Sequence, residues 1–287
     1  MKTSTEIASF GKYIGEEKAV ELVGKCGFDA WDLSMFAMAP YDKTTRTMRI
    51  TDHPLQGKDY LSFVRRLKRI GEDQGIHCNQ SHAPFPVYIP EIHNYLKRAI
   101  ECTAEAGGSI CVIHPDNYSP AEKNAEMFLE LLPFAKGCGV KIATENMWLR
   151  NKESGEIISA ACSDPQSFLA HLEAVNDPFF VACLDVGHAE MRGVNTSAPE
   201  MIRALGHHLQ ALHLHDNDLK EDLHRLPFTM QIDFTALVKA LKEIGYDGYF
   251  TLEADQHCKN APIEQIPLKV KEMADATRRL ADLFEEM

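Results

Sequence analysis

Short, nearly unbroken apolar runs alternate with amphipathic stretches from one end of this chain to the other. Runs at 4–8, 28–33, 76–82, 109–114, 140–145, 179–185, 210–215 and 249–253 have the length and composition of buried parallel strands. The stretches between them carry apolar stripes at helical spacing. Ile92, Leu96, Ala99, Ile100 and Thr103 form one, which stops at Gly107-Gly108. Ala121, Ala125, Phe128, Leu129 and Leu132 form another, and Pro133 is expected to kink it. Ser119-Pro120-Ala121-Glu122 and Ser197-Ala198-Pro199-Glu200 read as capping boxes. Asp233 reads as the N-cap of a helix carrying Leu237, Val238, Leu241 and Ile244, with Gly245 as its stop. Eight strands, each followed by a helix, predict an α/β fold, a (β/α)8 TIM barrel. No change of composition marks a linker, so residues 1–287 are expected to form a single domain.

Composition narrows the partners. The formal charge of −12 over 287 residues argues against nucleic acid, which is gripped by basic faces. Arg65-Arg66-Leu67-Lys68-Arg69 lies on a predicted helix and reads as a solvated face. No apolar run is long enough to span a membrane, and Met1-Lys2-Thr3-Ser4-Thr5 lacks the hydrophobic stretch of a signal peptide. The eight cysteines are scattered without a CxxC pair, which suits free thiols in a reducing cytoplasm. No nucleophile elbow, P-loop or dinucleotide fingerprint is present.

The chemistry sits where the predicted strands end. His82, His114, Glu145, Asp185 with His188, His215 and Glu253 close six successive strands, at a spacing of about 30 to 40 residues that matches one βα unit. A parallel barrel gathers its strand ends around one mouth, so these side chains are expected to converge. Glu145, Asp185, His215 and Glu253 form a mostly oxygen ligand set suited to a divalent ion: manganese, magnesium, cobalt or zinc. Such an ion can bind adjacent substrate oxygens, while carboxylates facing each other across the substrate move a proton. His82, His114, His188 and the loop pair Asp222 and His224 are candidates for further ligands. His213, like His207 and His208, is left out, because it is expected to face the surrounding helices. The long loops 34–57, 146–163 and 216–232 are expected to overhang the mouth. Met35, Phe36, Met38, Tyr41, Arg46 and Met48 make the first of them a candidate lid. Asn146 and Trp148 are candidate pocket-lining residues. Arg150, Arg192 and Arg225 are candidate binders of a substrate phosphate or carboxylate.

The motifs Leu184-Asp185-Val186-Gly187-His188-Ala189, His213-Leu214-His215-Asp216-Asn217-Asp218 and the terminal Gly245-to-Asp255 stretch carry a resemblance. The chain resembles the xylose isomerase-like TIM-barrel superfamily, which includes sugar phosphate isomerases and epimerases and the endonuclease IV group. From its ketose 3-epimerases the resemblance implies one divalent metal held by Glu145, Asp185, His215 and Glu253. There the two glutamates act as acid and base, and His188 contacts a carbohydrate substrate. From endonuclease IV it implies three zincs on nine ligands: those four with His82, His114, His188, Asp222 and His224. That alternative is a multi-zinc phosphoesterase, and a non-enzymatic sugar- or metal-binding barrel is a third. The resemblance also implies a homo-oligomer paired through outer helices. Where the family usually has a Gly-rich stretch, this chain has Phe228-Thr229-Met230-Gln231, so that loop is expected to differ in shape.

Overall fold

The computed structural model describes residues 1–287. Eight strands form one all-parallel sheet: β1 (Lys2–Glu6), β2 (Ala30–Ser34), β3 (His77–His82), β4 (Ile110–Val112), β5 (Lys141–Glu145), β6 (Phe180–Asp185), β7 (Leu209–His213) and β8 (Tyr249–Leu252). The hydrogen-bonded order runs β7-β6-β5-β4-β3-β2-β1-β8. A single parallel bridge from Leu214 to Leu252 brings the two edges together, so the sheet is a nearly closed barrel. The expected alternation of strand and helix holds in a single-domain TIM barrel. The first strand lies two residues earlier than its apolar run, because Ser4 and Thr5 are buried and Ile7 already starts the following turn.

The outer layer is α1 (Glu16–Cys26), α2 (Tyr60–Asp73), α3 (Leu96–Ala106), α4 (Ala121–Cys138), α5 (Pro165–Val175), α6 (Ala198–Leu205), α7 (Phe234–Glu243) and α8 (Ile266–Glu286). Their apolar stripes pack on the outward faces of the strands in one core. Two of the three predicted helix starts are capped as expected. Ser197 accepts a hydrogen bond from the Glu200 amide, and Asp233 accepts from Thr235 and Ala236. Ser119 does not cap α4. Its hydroxyl donates to Asp116 at 2.6 Å, and Pro120 takes the cap position. The helix runs through Pro133 to Cys138. Inside the barrel, Val112, Ala143, Val181, Cys183 and Ala211 fill a small apolar layer. All eight cysteines are free, and no helix is long and apolar enough to cross a membrane.

Two of the long loops carry small antiparallel ribbons, Tyr41–Asp42 with Thr47–Met48 and Trp148–Arg150 with Ile157–Ser159. Met35 and Met38 are fully buried in the core, so the first loop is anchored by packing rather than presented as a free lid. Its Phe36 ring stands edge-on to His82, with centroids 4.9 Å apart.

Candidate functional site

The strand register dictates which side chains meet. Cys183 of β6 lies opposite Glu145 of β5, and Asp185 lies opposite His213 of β7. Parallel partners in register point to the same face, so Glu145, Asp185 and His213 all enter the lumen at its upper rim. Glu253 follows β8 by one residue. Donor atoms of Glu145, Asp185, His213 and Glu253 lie within 4.8 Å of one another, an arrangement that can hold a metal ion. His213 Nδ1 is 3.0 Å from Glu145 Oε1 and 3.3 Å from Glu253 Oε2.

This corrects the expectation for the two histidines of β7 and its extension. Residues two apart on a strand share a face, so His213 points inward together with His215 rather than toward the helices. The strand ends at His213, and His215 stands one level higher. There its Nε2 is 3.0 Å from Asp185 Oδ1, and its ring stacks on His224 at 4.0 Å. The donor atoms that lie together with those of Glu145, Asp185 and Glu253 include that of His213. The missed signal was the His-x-His spacing itself.

Two more donor groups flank the quartet. His82, His114 and Glu145 form one, with His82 Nε2 2.9 Å from His114 Nε2 and His114 Nε2 3.1 Å from Glu145 Oε2. His188, Asp222 and His224 form the other, with His224 Nε2 3.1 Å from Asp222 Oδ1 and His188 Nε2 3.3 Å from Asp222 Oδ2. The buried Glu145 Oε2 and Asp222 Oδ1 are close to imidazole nitrogens but aligned with none as hydrogen bonds. Buried carboxylate oxygens left this way are costly unless a cation or proton joins them. The donor set therefore fits a divalent ion.

Local sequence explains several of these placements. Asp185 caps the short helix Val186–Glu190 by accepting the His188 amide at 2.7 Å, which turns the His188 ring back into the mouth. Gly187 between them has no alternative: a Cβ there would lie 1.9 Å from the His215 ring. The loop holding Asp222 and His224 is tied down from below. Asp216 accepts from the amides of Thr229, Met230 and Ile232 at 2.7–3.0 Å. In that loop Leu219, His224 and Phe228 adopt left-handed backbone, with φ of 65, 43 and 69°. Phe228 thus takes a conformation that glycine adopts freely, and such strain gathers at functional loops.

The electrostatics separate the two glutamates. Burial favours the neutral form of Glu145, but the His213 charge and the close imidazoles of His114, His213 and His82 outweigh it and hold the carboxyl well below its usual value. For Glu253 burial wins over His213 and His224, and the carboxyl is pushed up. Burial drives the His114 imidazole down to about 4. His188, also opposed by burial, is lifted to about 10 by Asp185 and Asp222.

The remaining candidates fall into two groups. Trp148 is partly buried beside His188, with ring centroids 6.4 Å apart, and packs on Ile157, Met191 and Val194. The Asn146 amide brackets the Asp185 backbone, donating to its carbonyl at 2.8 Å and accepting from its amide at 2.7 Å. Arg150 is already engaged, by Glu221 at 2.6 Å and the Gly155 carbonyl at 2.8 Å. Arg192 and Arg225 are exposed on loops at the rim. Unremarked in the sequence was Glu6, 3 % exposed at the end of β1. One of its oxygens accepts the Ser9 amide and the other is unpartnered, and burial pushes the carboxyl up to about 7. A cavity of about 440 Å³ opens at the opposite end of the barrel, between Asn79, Gln210, Tyr246 and their neighbours, far from these groups.

The whole chain superposes on solved barrels. A D-tagatose 3-epimerase-like protein matches with a TM-score of 0.72 at 20% identity, over 100% of this chain and 99% of the other. A D-psicose 3-epimerase matches at 0.70 and 15% identity, over 99% of both chains. The 3-keto-D-glucoside 4-epimerase of E. coli matches at 0.69 and 15% identity, over 98% of this chain and 99% of the other. In sequence, an uncharacterized protein of Methanocaldococcus jannaschii is 27% identical over 248 residues, 77% of this chain and 82% of that protein. The family model described as xylose isomerase-like TIM barrel matches residues 20–285, and the chain belongs to that family.

Proposed function

We propose that this chain is a divalent-metal-dependent isomerase or epimerase of a sugar or sugar phosphate. The observation that carries this reading is the geometry of the quartet, in which two glutamates face one imidazole, Glu145 at 3.0 Å and Glu253 at 3.3 Å from His213 Nδ1. Glu145 is the base that removes a proton from the carbon beside a carbonyl, leaving an enediolate. Glu253, on the other side of the same imidazole nitrogen, is the acid that returns a proton. Return to the opposite face inverts that carbon, and return to the neighbouring carbon moves the carbonyl. Glu145, Asp185, His213 and Glu253 would hold the cation, with manganese, magnesium, cobalt and zinc all compatible with the donor set. When bound, it supplies positive charge to adjacent oxygens of the substrate. His188, fixed by its Nδ1 bond to the Asn146 carbonyl, would contact a substrate hydroxyl, and Trp148 would border the same space. The sugar-epimerase names of the structural neighbours and the net charge of −12 support a carbohydrate over a nucleic acid.

A second reading, a multi-zinc phosphoesterase, is favoured by the two flanking donor groups, which offer room for further ions. Elemental analysis of protein purified without added metal, followed by sugar turnover in deuterated water, separates the two. About one cation per chain and deuterium at the reacting carbon are expected. Absence of exchange across a broad sugar panel, with cation saturating, overturns the epimerase reading. Two or three zincs with phosphodiester cleavage establishes the second.

A further inference from the structure

Four of the imidazoles at the mouth are oriented in two ways. His82, His188 and His224 each donate Nδ1–H to a main-chain carbonyl, those of Ala83, Asn146 and Glu253, at 3.0, 2.9 and 2.7 Å. Each is thereby fixed with Nε2 aimed inward. His213 is reversed. Its Nδ1 faces Glu145 and Glu253, and its Nε2 turns across the lumen toward Asp32 of β2, whose Oδ2 is 3.9 Å away.

Asp32 is buried with little to satisfy it. It is 1% exposed, its Oδ1 is reached by the Ser34 hydroxyl at 3.4 Å, and its Oδ2 lacks a hydrogen-bond partner. The register puts it opposite Glu6 on one side and Gln80 on the other, on the lumen face. A buried carboxylate oxygen without a donor is expensive to keep. A histidine that binds a metal through one ring nitrogen usually gives its other N–H to a carboxylate or carbonyl, which sets tautomer and ring angle. We propose that Asp32 is the positioning residue for His213, holding Nε2–H toward itself so that Nδ1 presents its lone pair beside Glu145, Asp185 and Glu253. The Cys183 thiol also lies against His213. A neutral thiol is a weak acceptor, so the carboxylate dominates. The inference rests on the reading of the quartet as a cation site.

The test compares wild type, D32N and C183A in two measurements. Mn²⁺ binding is followed by the resonance of the free ion, and nitrogen spectra of zinc-loaded protein report which ring atom of His213 is ligated. Wild type should bind zinc through Nδ1 with Nε2 protonated. D32N should bind Mn²⁺ 10- to 100-fold more weakly and show mixed ring-atom ligation, on the order expected for loss of such a support, while C183A stays close to wild type. Should D32N not fold, D32S serves in its place. Ligation of wild-type His213 through Nε2 overturns the proposal without any variant. So does weaker binding by D32N with unchanged Nδ1 ligation, which would make Asp32 merely structural, or a loss in C183A equal to that in D32N. Unaltered binding by D32N ends the proposal while leaving the cation site standing. No uptake of either cation by wild type ends both.

Discussion

In the middle of the barrel lumen, Ser4 donates to Asn79 at 2.6 Å, Asn79 to Thr251 at 3.1 Å, and Thr251 to Gln80 at 3.2 Å. At the mouth, Glu6, Asp32, Glu145, Asp222 and His215 each keep a buried polar atom without a hydrogen-bond partner. The first group is neutral and ties β1, β3 and β8 together. The second is made of ionisable groups and spends stability to hold donors in place. In barrels of this kind, the ends of the strands that carry the loops host chemistry and the rest of the lumen holds the fold. Here that division is visible atom by atom. Substitutions in the two regions should therefore move stability in opposite directions.

The largest effect belongs to the mouth. E253Q should lower kcat by about 10²–10⁴-fold, the usual worth of an acid or base, with an unchanged circular dichroism spectrum. Activity near wild type would remove Glu253 from the proton path. Stability against pH sharpens the contrast further. Glu6 has its folded value raised from 4.5 to about 7, so the stability it contributes is fully present below 4.5 and lost as pH rises through about 7. E6Q cannot ionise and should escape that loss. It should exceed wild type by about 3 kcal/mol above neutrality, read from denaturant unfolding as a function of pH. Parallel curves for the two proteins would refute the assignment.

A cation should repair part of what the mouth costs. Mn²⁺ at about 100 times its Kd adds about 2.7 kcal/mol to unfolding, visible as a rise in Tm. No rise at any concentration would break the comparison at its centre. N79A, in the closed network, should cost about 2 kcal/mol by stranding Ser4 and Thr251, without changing Mn²⁺ affinity. A matching loss of affinity would mean that the two regions are not independent.

Much of this was legible in the residues themselves. The apolar runs and stripes located strands and helices to within a few residues, and the strand-end positions of Glu145, Asp185 and Glu253 brought them to one mouth as expected. His213 was misplaced by a parity error, since the same period that turns His215 inward turns its neighbour two residues back inward too. The capping motif at Ser119 matched its pattern, but a stronger local acceptor, Asp116, took the hydroxyl. Glu6 and Asp32 escaped notice because a single acidic residue in an apolar run gives no sign of which side of the sheet it enters.

Local periodicity and spacing, which depend only on neighbouring residues, determined by themselves the barrel class, the order of its strands and the group of residues at its mouth. Only the tertiary structure decided which atoms face each other. Register between strands far apart in sequence put His213 rather than His215 with the glutamates, set Asp32 across the lumen from it, and committed the Asn146 amide to bracing Asp185. Those pairings arise from closing the sheet on itself, a condition that no single segment of the chain carries.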